Sequence, residues 1–137
     1  MNYSNLKVLI VDDMNVMRTI LKALLNNMGV TDVLEAADGE MALEILQDNK
    51  VDLILSDWNM PKMTGIELLR RVREDLVFQN IPFVMISAEA TSENIAQAIS
   101  LHVSQYLLKP VSAAQLEQKI FPLLADVAAP TAGQAAA

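Results

Sequence analysis

The chain has 137 residues, 53% of them hydrophobic, with a formal net charge of −7 and a pI near 4.5. The length is that of one domain, and the hydrophobic content argues against a disordered chain. The acidic balance argues against direct binding to nucleic acid or to an anionic membrane, because both need basic patches. The absence of cysteine excludes disulfides and thiolate metal sites, and the apolar run at residues 8–11 is too short to span a membrane. We therefore expect a soluble, cytoplasmic domain.

The first half of the chain alternates short apolar runs with segments of helical periodicity. Residues 7–11 predict a first strand. The segment that follows predicts a helix ending at Gly29, with an inner face of Met17, Ile20, Leu21, Leu24 and Met28. Residues 32–36 predict a second strand, and Asp38 is expected to cap a second helix with an inner face of Ala42, Ile45 and Leu46. Residues 51–56 predict the third strand.

The second half continues the same alternation. Gly65 opens a third predicted helix, whose apolar stripe is Leu68, Leu69, Val72 and Leu76. Residues 82–87 predict a fourth strand, and residues 91–92 are expected to cap a fourth helix with an inner face of Ile95, Ala98 and Ile99. Residues 105–109 predict a fifth strand. A capping sequence at 112–115 begins the last helix, with an apolar stripe of Leu116, Ile120 and Leu123 or Leu124.

Five apolar strands that alternate with helices predict an α/β fold, in which helices cover both faces of a parallel sheet. Pro122 falls inside the last helix and predicts a kink or an early stop there, because proline removes a helical hydrogen bond. Residues 1–127 are predicted to form the domain. Residues 128–137 are uncharged and lack large apolar side chains, so they are predicted to be a disordered tail or the start of a linker.

Polar residues end or directly follow four of the five predicted strands. They are Asp12 and Asp13, Asp57, Ser87, and Lys109 followed by Pro110. Ligands of parallel sheets bind at the carboxyl ends of the strands, where the strand order reverses. If the first and third strands are neighbours there, three carboxylates crowd together, and a bound divalent cation would relieve the repulsion. Ligands that are all oxygen favour Mg²⁺ or Mn²⁺ over zinc.

Each of these residues has a simpler interpretation when it is taken alone. Asp12, Asp13 or Asp57 can cap the segment that follows it, Ser87 can belong to a turn, and Lys109 can be a solvated strand end. Their joint placement at successive strand ends is what favours a site. His102, the only histidine, is expected to lie at a helix end and not to serve as a ligand or phosphoryl carrier.

Four stretches, "VLIVDD", "DWNMPKMTG", "MISAEA" and "YLLKP", resemble the receiver domains of two-component response regulators in their order and spacing. The likeness is strongest to the single-domain chemotaxis regulators of this family, and it covers about residues 6–125. The resemblance implies a flavodoxin-like, doubly wound sheet of strand order 2-1-3-4-5, with five helices in three layers.

The resemblance also implies a role for each strand-end residue. Asp57 would accept a phosphoryl group, while Asp12 and Asp13 would hold Mg²⁺ together with Asp57 and the backbone carbonyl of Asn59. Ser87 and Lys109 would contact the phosphoryl oxygens, with a cis peptide bond between Lys109 and Pro110. Tyr106 would be an aromatic switch residue that packs inward when Ser87 moves.

The phosphodonor implied by the resemblance is a CheA-like histidine kinase. The implied output is a downstream protein that binds the face formed by the fourth helix, fifth strand and fifth helix. No catalysis is expected beyond self-phosphotransfer and autodephosphorylation. One departure lies on that face, where Leu101, His102 and Val103 replace the usual Ala-Gly-Ala, so that histidine occupies a position at which glycine adopts a positive φ.

Three other interpretations of the sequence stay open. The chain could be a receiver cut from a longer regulator or from a phosphorelay. It could be a phosphohydrolase that uses an aspartyl-phosphate intermediate, although Asn59 then stands where such enzymes carry a general acid. It could also be a receiver-shaped adaptor that binds partners without being phosphorylated.

Overall fold

All five predicted strands are present in the computed structural model, which describes residues 3–128. The strands are β1 Lys7–Val11, β2 Asp32–Ala36, β3 Leu53–Asp57, β4 Phe83–Ser87 and β5 Gln105–Leu108. They pair in parallel in the order β2-β1-β3-β4-β5. This confirms the flavodoxin-like order, and each predicted strand lies within two residues of its observed bounds.

Five helices cover the two faces of the sheet, as predicted. They are α1 Asn15–Asn27, α2 Gly39–Asp48, α3 Gly65–Glu74, α4 Ser92–Ser100 and α5 Ala113–Ala128. Successive side chains of a strand point to opposite faces. One set of buried strand residues, including Val8 and Ile10, therefore packs with α1 and α5. The alternate set, including Leu9 and Val11, packs with α2, α3 and α4.

Side-chain caps begin three of the helices at predicted positions. The Asp38 carboxylate accepts the Met41 N–H at 2.8 Å, and the Thr91 hydroxyl accepts the Asn94 N–H at 3.1 Å. The Ser112 hydroxyl, which precedes α5, accepts a backbone N–H in the same way at 3.1 Å. The first helix ends before Gly29, which has a φ of 95° as expected of a residue that terminates a helix. These local signals fix where the helices start and stop.

The predicted inner faces were wrong at three positions. Ile20 and Ile99 are exposed, because each lies about 100° around its helix from the buried neighbours Leu21 and Ala98. Leu76 is 85% exposed because α3 ends at Glu74. The Asp75 carboxylate stops that helix by accepting the backbone N–H groups of residues 77 and 78.

Of the kink or early stop predicted at Pro122, the early stop was wrong, because α5 runs on to Ala128, and the kink stays a prediction. Leu116, Ile120 and Leu124 are buried on either side of the proline and hold the helix against the sheet. Pro122 itself lies on the exposed face, where water can satisfy the carbonyl group that it leaves without an N–H partner. The rest of the predicted tail, residues 129–137, lies outside the described residues. Within residues 3–128, no helix is both long and apolar enough to cross a membrane.

The chain order reverses at β1. From β1 the chain passes outward to β2, then returns across β1 to β3 and continues to β4 and β5 on the other side. The carboxyl ends of β1 and β3 are therefore adjacent, with Val11 opposite Ser56 in the ladder. Loops that leave neighbouring strands in opposite directions open a crevice at this point, and ligands of such sheets bind there.

Candidate functional site

The predicted strand-end residues lie along one edge of the sheet. Asp12 directly follows β1, and its N–H donates to the Ala36 carbonyl at 3.0 Å, so the pairing of β1 with β2 extends one residue past the strand. Asp57 is the last residue of β3 and Ser87 the last of β4. Lys109 follows β5, and its N–H donates to the Ser87 carbonyl at 2.8 Å. The ladder hydrogen bonds thus fix the backbone beneath each polar side chain.

Three carboxylates converge at this edge. Asp12, Asp13 and Asp57 each offer an oxygen, and these oxygens lie within 4.8 Å of one another. Asp12 and Asp57 are buried, whereas Asp13 is exposed and gives the cluster access to solvent. A cluster that offers only oxygen ligands, at separations that one ion can span, suits a hard divalent cation. The fold therefore brings together the three carboxylates that were among the predicted metal ligands.

One lysine faces two of the three acids. Lys109 Nζ lies 3.0 Å from Asp57 Oδ1 and 3.7 Å from Asp12 Oδ2. The lysine side chain is 20% exposed, so the pair with Asp57 is partly shielded from solvent. A single positive charge does not balance three carboxylates. The site consequently keeps an excess of negative charge that a bound cation would neutralise.

Burial and this excess of charge both act on the pKa of Asp12. Burial raises the pKa of its carboxyl group above the ordinary value of 3.8, and the negative charges of Asp57 and Asp13 raise it further. The hydrogen bond from the Met14 N–H and the charge of Lys109 oppose the rise without cancelling it. In the metal-free protein, the ionised form of Asp12 is therefore less favourable than it would be in water.

Ser87 and Tyr106 are joined through the backbone of Glu89. The Ser87 hydroxyl oxygen accepts the Glu89 N–H at 3.1 Å, and this bond leaves the hydroxyl proton available to another acceptor. The Tyr106 hydroxyl donates to the Glu89 carbonyl at 2.7 Å. The half-buried ring of Tyr106 lies 6.3 Å from the ring of Trp58, which follows Asp57. The loop after β4 thus connects the acidic edge to the side of β5.

The remaining predicted residues fall inside or outside the site as follows. Asn59 is exposed in the loop after β3, and its proposed carbonyl ligand stays a prediction. The peptide bond between Lys109 and Pro110 is cis. His102 lies just after α4 with a φ of 62°, and its carbonyl accepts the Arg73 Nε–H at 3.1 Å. It therefore belongs to the turn before β5 and not to the acidic site.

Two residues near the site were missed. Arg18 on α1 donates to the Asp12 carbonyl, a contact whose only signal in the sequence is a cation one helical turn beyond Asn15. Gly65 begins α3 so close to β3 that an added Cβ atom would lie 2.2 Å from the Asp57 carbonyl oxygen. The sequence predicts this glycine only as the start of a helix, because its approach to Asp57 depends on tertiary packing.

Comparisons with known proteins agree with this geometry. The sequence profile of the response regulator receiver domain matches residues 8–121. The chemotaxis protein CheY of Pseudomonas aeruginosa is 45% identical over 115 residues, which cover 84% of this chain and 93% of that protein. CheY-3 of Vibrio cholerae is 44% identical over 116 residues, covering 85% of this chain and 89% of that protein.

A solved structure shares the fold. The chemotaxis protein CheY4 of Vibrio cholerae superimposes with a TM-score of 0.80 at 32% sequence identity, covering 86% of this chain and 98% of that one. The acidic edge, the strand order and the profile match all point to the same conclusion. This chain belongs to the response regulator receiver domain family, and it is CheY-like.

Proposed function

We propose that this chain is a phosphorylation-activated regulator of a two-component system, which accepts a phosphoryl group on Asp57 from a CheA-like histidine kinase. The observation that carries the proposal is the 3.0 Å contact between Lys109 Nζ and Asp57 Oδ1, next to two further carboxylates. The contact supplies a fixed positive charge where phosphoryl oxygens would arrive. A carboxylate can act as the nucleophile without a general base to remove a proton.

The proposed transfer is a displacement at phosphorus. One carboxylate oxygen of Asp57 forms a bond to phosphorus while the bond from phosphorus to the kinase histidine nitrogen breaks. The electron pair of the broken bond leaves with the imidazole, whose other nitrogen carries a proton, so the histidine departs neutral. Such transfers depend mainly on positioning and on neutralising the phosphoryl oxygens. Lys109 would pair with one of these oxygens, and the Ser87 hydroxyl would donate a hydrogen bond to another.

The cofactor in this proposal is Mg²⁺, with Mn²⁺ able to replace it. Asp12, Asp13 and Asp57 would hold the ion together with the backbone carbonyl of Asn59. The all-oxygen cluster and its excess negative charge support this assignment. When bound, the ion would supply further neutralisation of the phosphoryl oxygens.

The same proposal accounts for a switch. A phosphoryl group adds roughly −1.5 to −2 charge and strong hydrogen-bond acceptors, which would draw the Ser87 hydroxyl toward Asp57. Because Ser87 and Tyr106 both bond to the Glu89 backbone, a shift of this loop would free Tyr106 to pack inward. The change would alter the face formed by α4, β5 and α5, where a downstream protein would bind. We propose that the pathway is cytoplasmic chemotaxis, because the relatives compared above are chemotaxis proteins. We also propose that the chain does not turn over a separate substrate.

The test is phosphorylation by a small phosphodonor. We expect acetyl phosphate and Mg²⁺ to add one phosphoryl group to the wild-type protein, measured by intact-mass spectrometry. Asp57→Asn, or a chelator in place of Mg²⁺, should abolish the gain. Asp38→Asn is the matched control, since it removes a carboxylate outside the cluster and asparagine still caps α2. A gain that persists in Asp57→Asn, or none in the wild type, would contradict the proposal.

A further inference from the structure

Arg18 joins three parts of the structure beside the acidic cluster. Its Nη1 donates to the Asp12 carbonyl at 2.6 Å, its Nε to Glu35 Oε1 at 3.1 Å, and its Nη2 to Asn15 Oδ1 at 3.2 Å. These acceptors belong to the loop after β1, to β2 and to the first residue of α1. The arginine side chain is only 16% exposed, and its bond to the Asp12 carbonyl is partly buried, whereas the contacts with Glu35 and Asn15 lie at the surface.

The contact with the Asp12 carbonyl fixes the peptide that links the two adjacent acids. The Asp12 carbonyl oxygen belongs to the peptide unit between Asp12 and Asp13, so the guanidinium holds the plane of that unit. Asp12 is held on its other sides as well, by its N–H bond to the Ala36 carbonyl and by the bond from the Met14 N–H to its carboxylate. Arg18 therefore completes the set of contacts that define the backbone at this point.

Asp13 depends on this backbone more than its neighbours do. Within residues 3–128, its carboxylate accepts no hydrogen bond and enters no ion pair, whereas Asp12 and Asp57 both face Lys109. The position of the Asp13 side chain therefore depends on its backbone alone, and the peptide plane before it helps to set the direction of its Cα–Cβ bond. A rotation of that plane would move the exposed oxygen of the cluster away from the two buried ones.

We propose that Arg18 is a positioning residue for the metal site, which holds the Asp12–Asp13 peptide so that the three carboxylates stay preorganised for a divalent cation. The inference rests on the proposed function, because it assumes that Mg²⁺ binds this cluster. Partners that orient metal ligands affect metal affinity through the geometry they impose. Arg18 acts in this way through a backbone carbonyl, without touching the ion or the phosphoryl group.

The sign of one measurement separates this role from a purely electrostatic one. A cation beside three carboxylates repels a second cation, so removing the charge of Arg18 would by itself tighten Mg²⁺ binding. Losing the hold on the peptide would weaken binding, because the ion would then have to order the ligands. Positioning and charge thus predict changes of opposite sign in the same dissociation constant.

The experiment is calorimetric titration of Mg²⁺ into the full chain and its Arg18→Gln and Arg18→Lys variants. We expect both variants to raise the dissociation constant about 10-fold, because lysine keeps the charge but lacks the planar fork that reaches several acceptors at once. Arg71→Gln is the matched control, since it removes an arginine whose ion-pair partner, Glu67, lies on the same helix and outside the cluster. It should leave the constant within about twofold of the wild-type value, the scatter that an indirect charge effect allows.

Phosphorylation by acetyl phosphate gives a second readout. The Arg18→Gln variant should need more Mg²⁺ for half-maximal rate but reach the wild-type rate at saturating Mg²⁺. Urea unfolding without metal checks that the variant is folded. If it is not, Asn15→Ala removes one anchor of the guanidinium without changing any charge, and it should weaken Mg²⁺ binding in the same direction.

Each outcome decides something. Unchanged or tighter Mg²⁺ binding by Arg18→Gln, or wild-type binding by Arg18→Lys, would overturn the positioning role alone. A lower rate that saturating Mg²⁺ does not restore would also overturn it, since the residue would then act beyond metal binding. Failure of the wild-type protein to bind Mg²⁺ would overturn both this inference and the proposed function.

Discussion

Asp12 would help to bind a cation, but its buried carboxylate costs stability when no cation is bound. Its carboxylate is 2% exposed, lies among two other acids and shares one lysine with Asp57. Burial and like charge raise its pKa, which means that the folded, metal-free protein disfavours the form a cation would bind. A bound cation would offset the cost in stability that the buried carboxylate of Asp12 imposes on the metal-free protein. Stability without metal is therefore the sensitive property to measure.

We predict that Asp12→Asn stabilises the metal-free protein at neutral pH by about 0.5–2 kcal/mol, the range of improved charge arrangements. Since the pKa is higher in the folded state than the ordinary 3.8, the folded state binds more protons between the two values. The wild-type stability thus falls as pH rises through this window, and the full cost is present above it. The advantage of the variant should accordingly vanish as pH drops below 3.8. Urea unfolding at neutral and acid pH, in chelator, measures both ends.

Asp13→Asn is the matched control for this prediction. It removes the same charge from the same cluster, but its carboxylate is exposed and carries no burial cost, so we expect a smaller gain. Added Mg²⁺ should make the wild-type protein more stable than either variant. An ion that binds only the folded state stabilises that state, and each variant has lost one of the carboxylates that would hold the ion. If the Asp12→Asn protein is less stable than the wild type in chelator at neutral pH, the charge of Asp12 does not destabilise the metal-free protein, and the prediction is wrong.

At the residue scale, the strand-end side chains could be predicted from the sequence, whereas their supports could not. Asp57, Ser87 and Lys109 follow apolar runs, and the parallel pairing that these runs imply brings them to one edge. The contact of Arg18 with the Asp12 carbonyl joins a helix to a loop through a backbone atom, and no residue pattern encodes the identity of such an acceptor. The close approach of Gly65 to the Asp57 carbonyl also depends on tertiary packing, which no residue pattern shows.

Among the larger elements, the junction of β3 with α3 leaves the least room for change. The Gly65 N–H donates to the Trp58 carbonyl at 2.8 Å, and a Cβ atom there would lie 2.2 Å from the Asp57 carbonyl oxygen and 2.9 Å from Met85 Sδ. We predict that Gly65→Ala costs about 3 kcal/mol in the free energy of unfolding, because the backbone at Asp57, at the end of β3, must move. It should also slow phosphorylation at temperatures where the variant is folded. Denaturant unfolding and the acetyl phosphate assay measure the two effects.

Gly29→Ala provides a control that separates backbone strain from crowding. Gly29 has a φ of 95°, but an added Cβ atom would meet only Tyr3 Cδ2, at 3.9 Å. The cost should be about 1–2 kcal/mol, that of a left-handed backbone conformation, with no effect on the phosphorylation rate. Equal losses of rate in the two variants would contradict the view that Gly65 protects the position of Asp57.

Element positions could be predicted more accurately than helix faces. A buried strand needs only a short apolar run, so β1 and β2 fell on their predicted residues. On a helix, an apolar residue beside the true stripe fits the same spacing, which misplaced Ile20 and Ile99. The early stop does not occur at Pro122 because packing of α5 on the sheet outweighs the local preference of one exposed proline.

Considered as a whole molecule, the chain fits a receiver better than the two other classes of protein considered. A phosphohydrolase needs a proton carrier beside the acceptor, and the amide of Asn59 is a poor one. An adaptor that works without phosphorylation would have no use for three crowded carboxylates, which disfavour the ionised form of Asp12. The acidic edge, with Lys109 beside Asp57, is the feature that supports the proposed phosphorylation.

The central claim is that Asp12, Asp13 and Asp57 converge on one divalent cation. Its most direct test is an anomalous difference map from crystals soaked in Mn²⁺, which can replace Mg²⁺ in an all-oxygen site. We predict a single strong peak at bonding distance from carboxylate oxygens of Asp12, Asp13 and Asp57, with Lys109 still beside Asp57. A map with no peak at this edge, or with its strongest peak at another acidic group, would contradict the account.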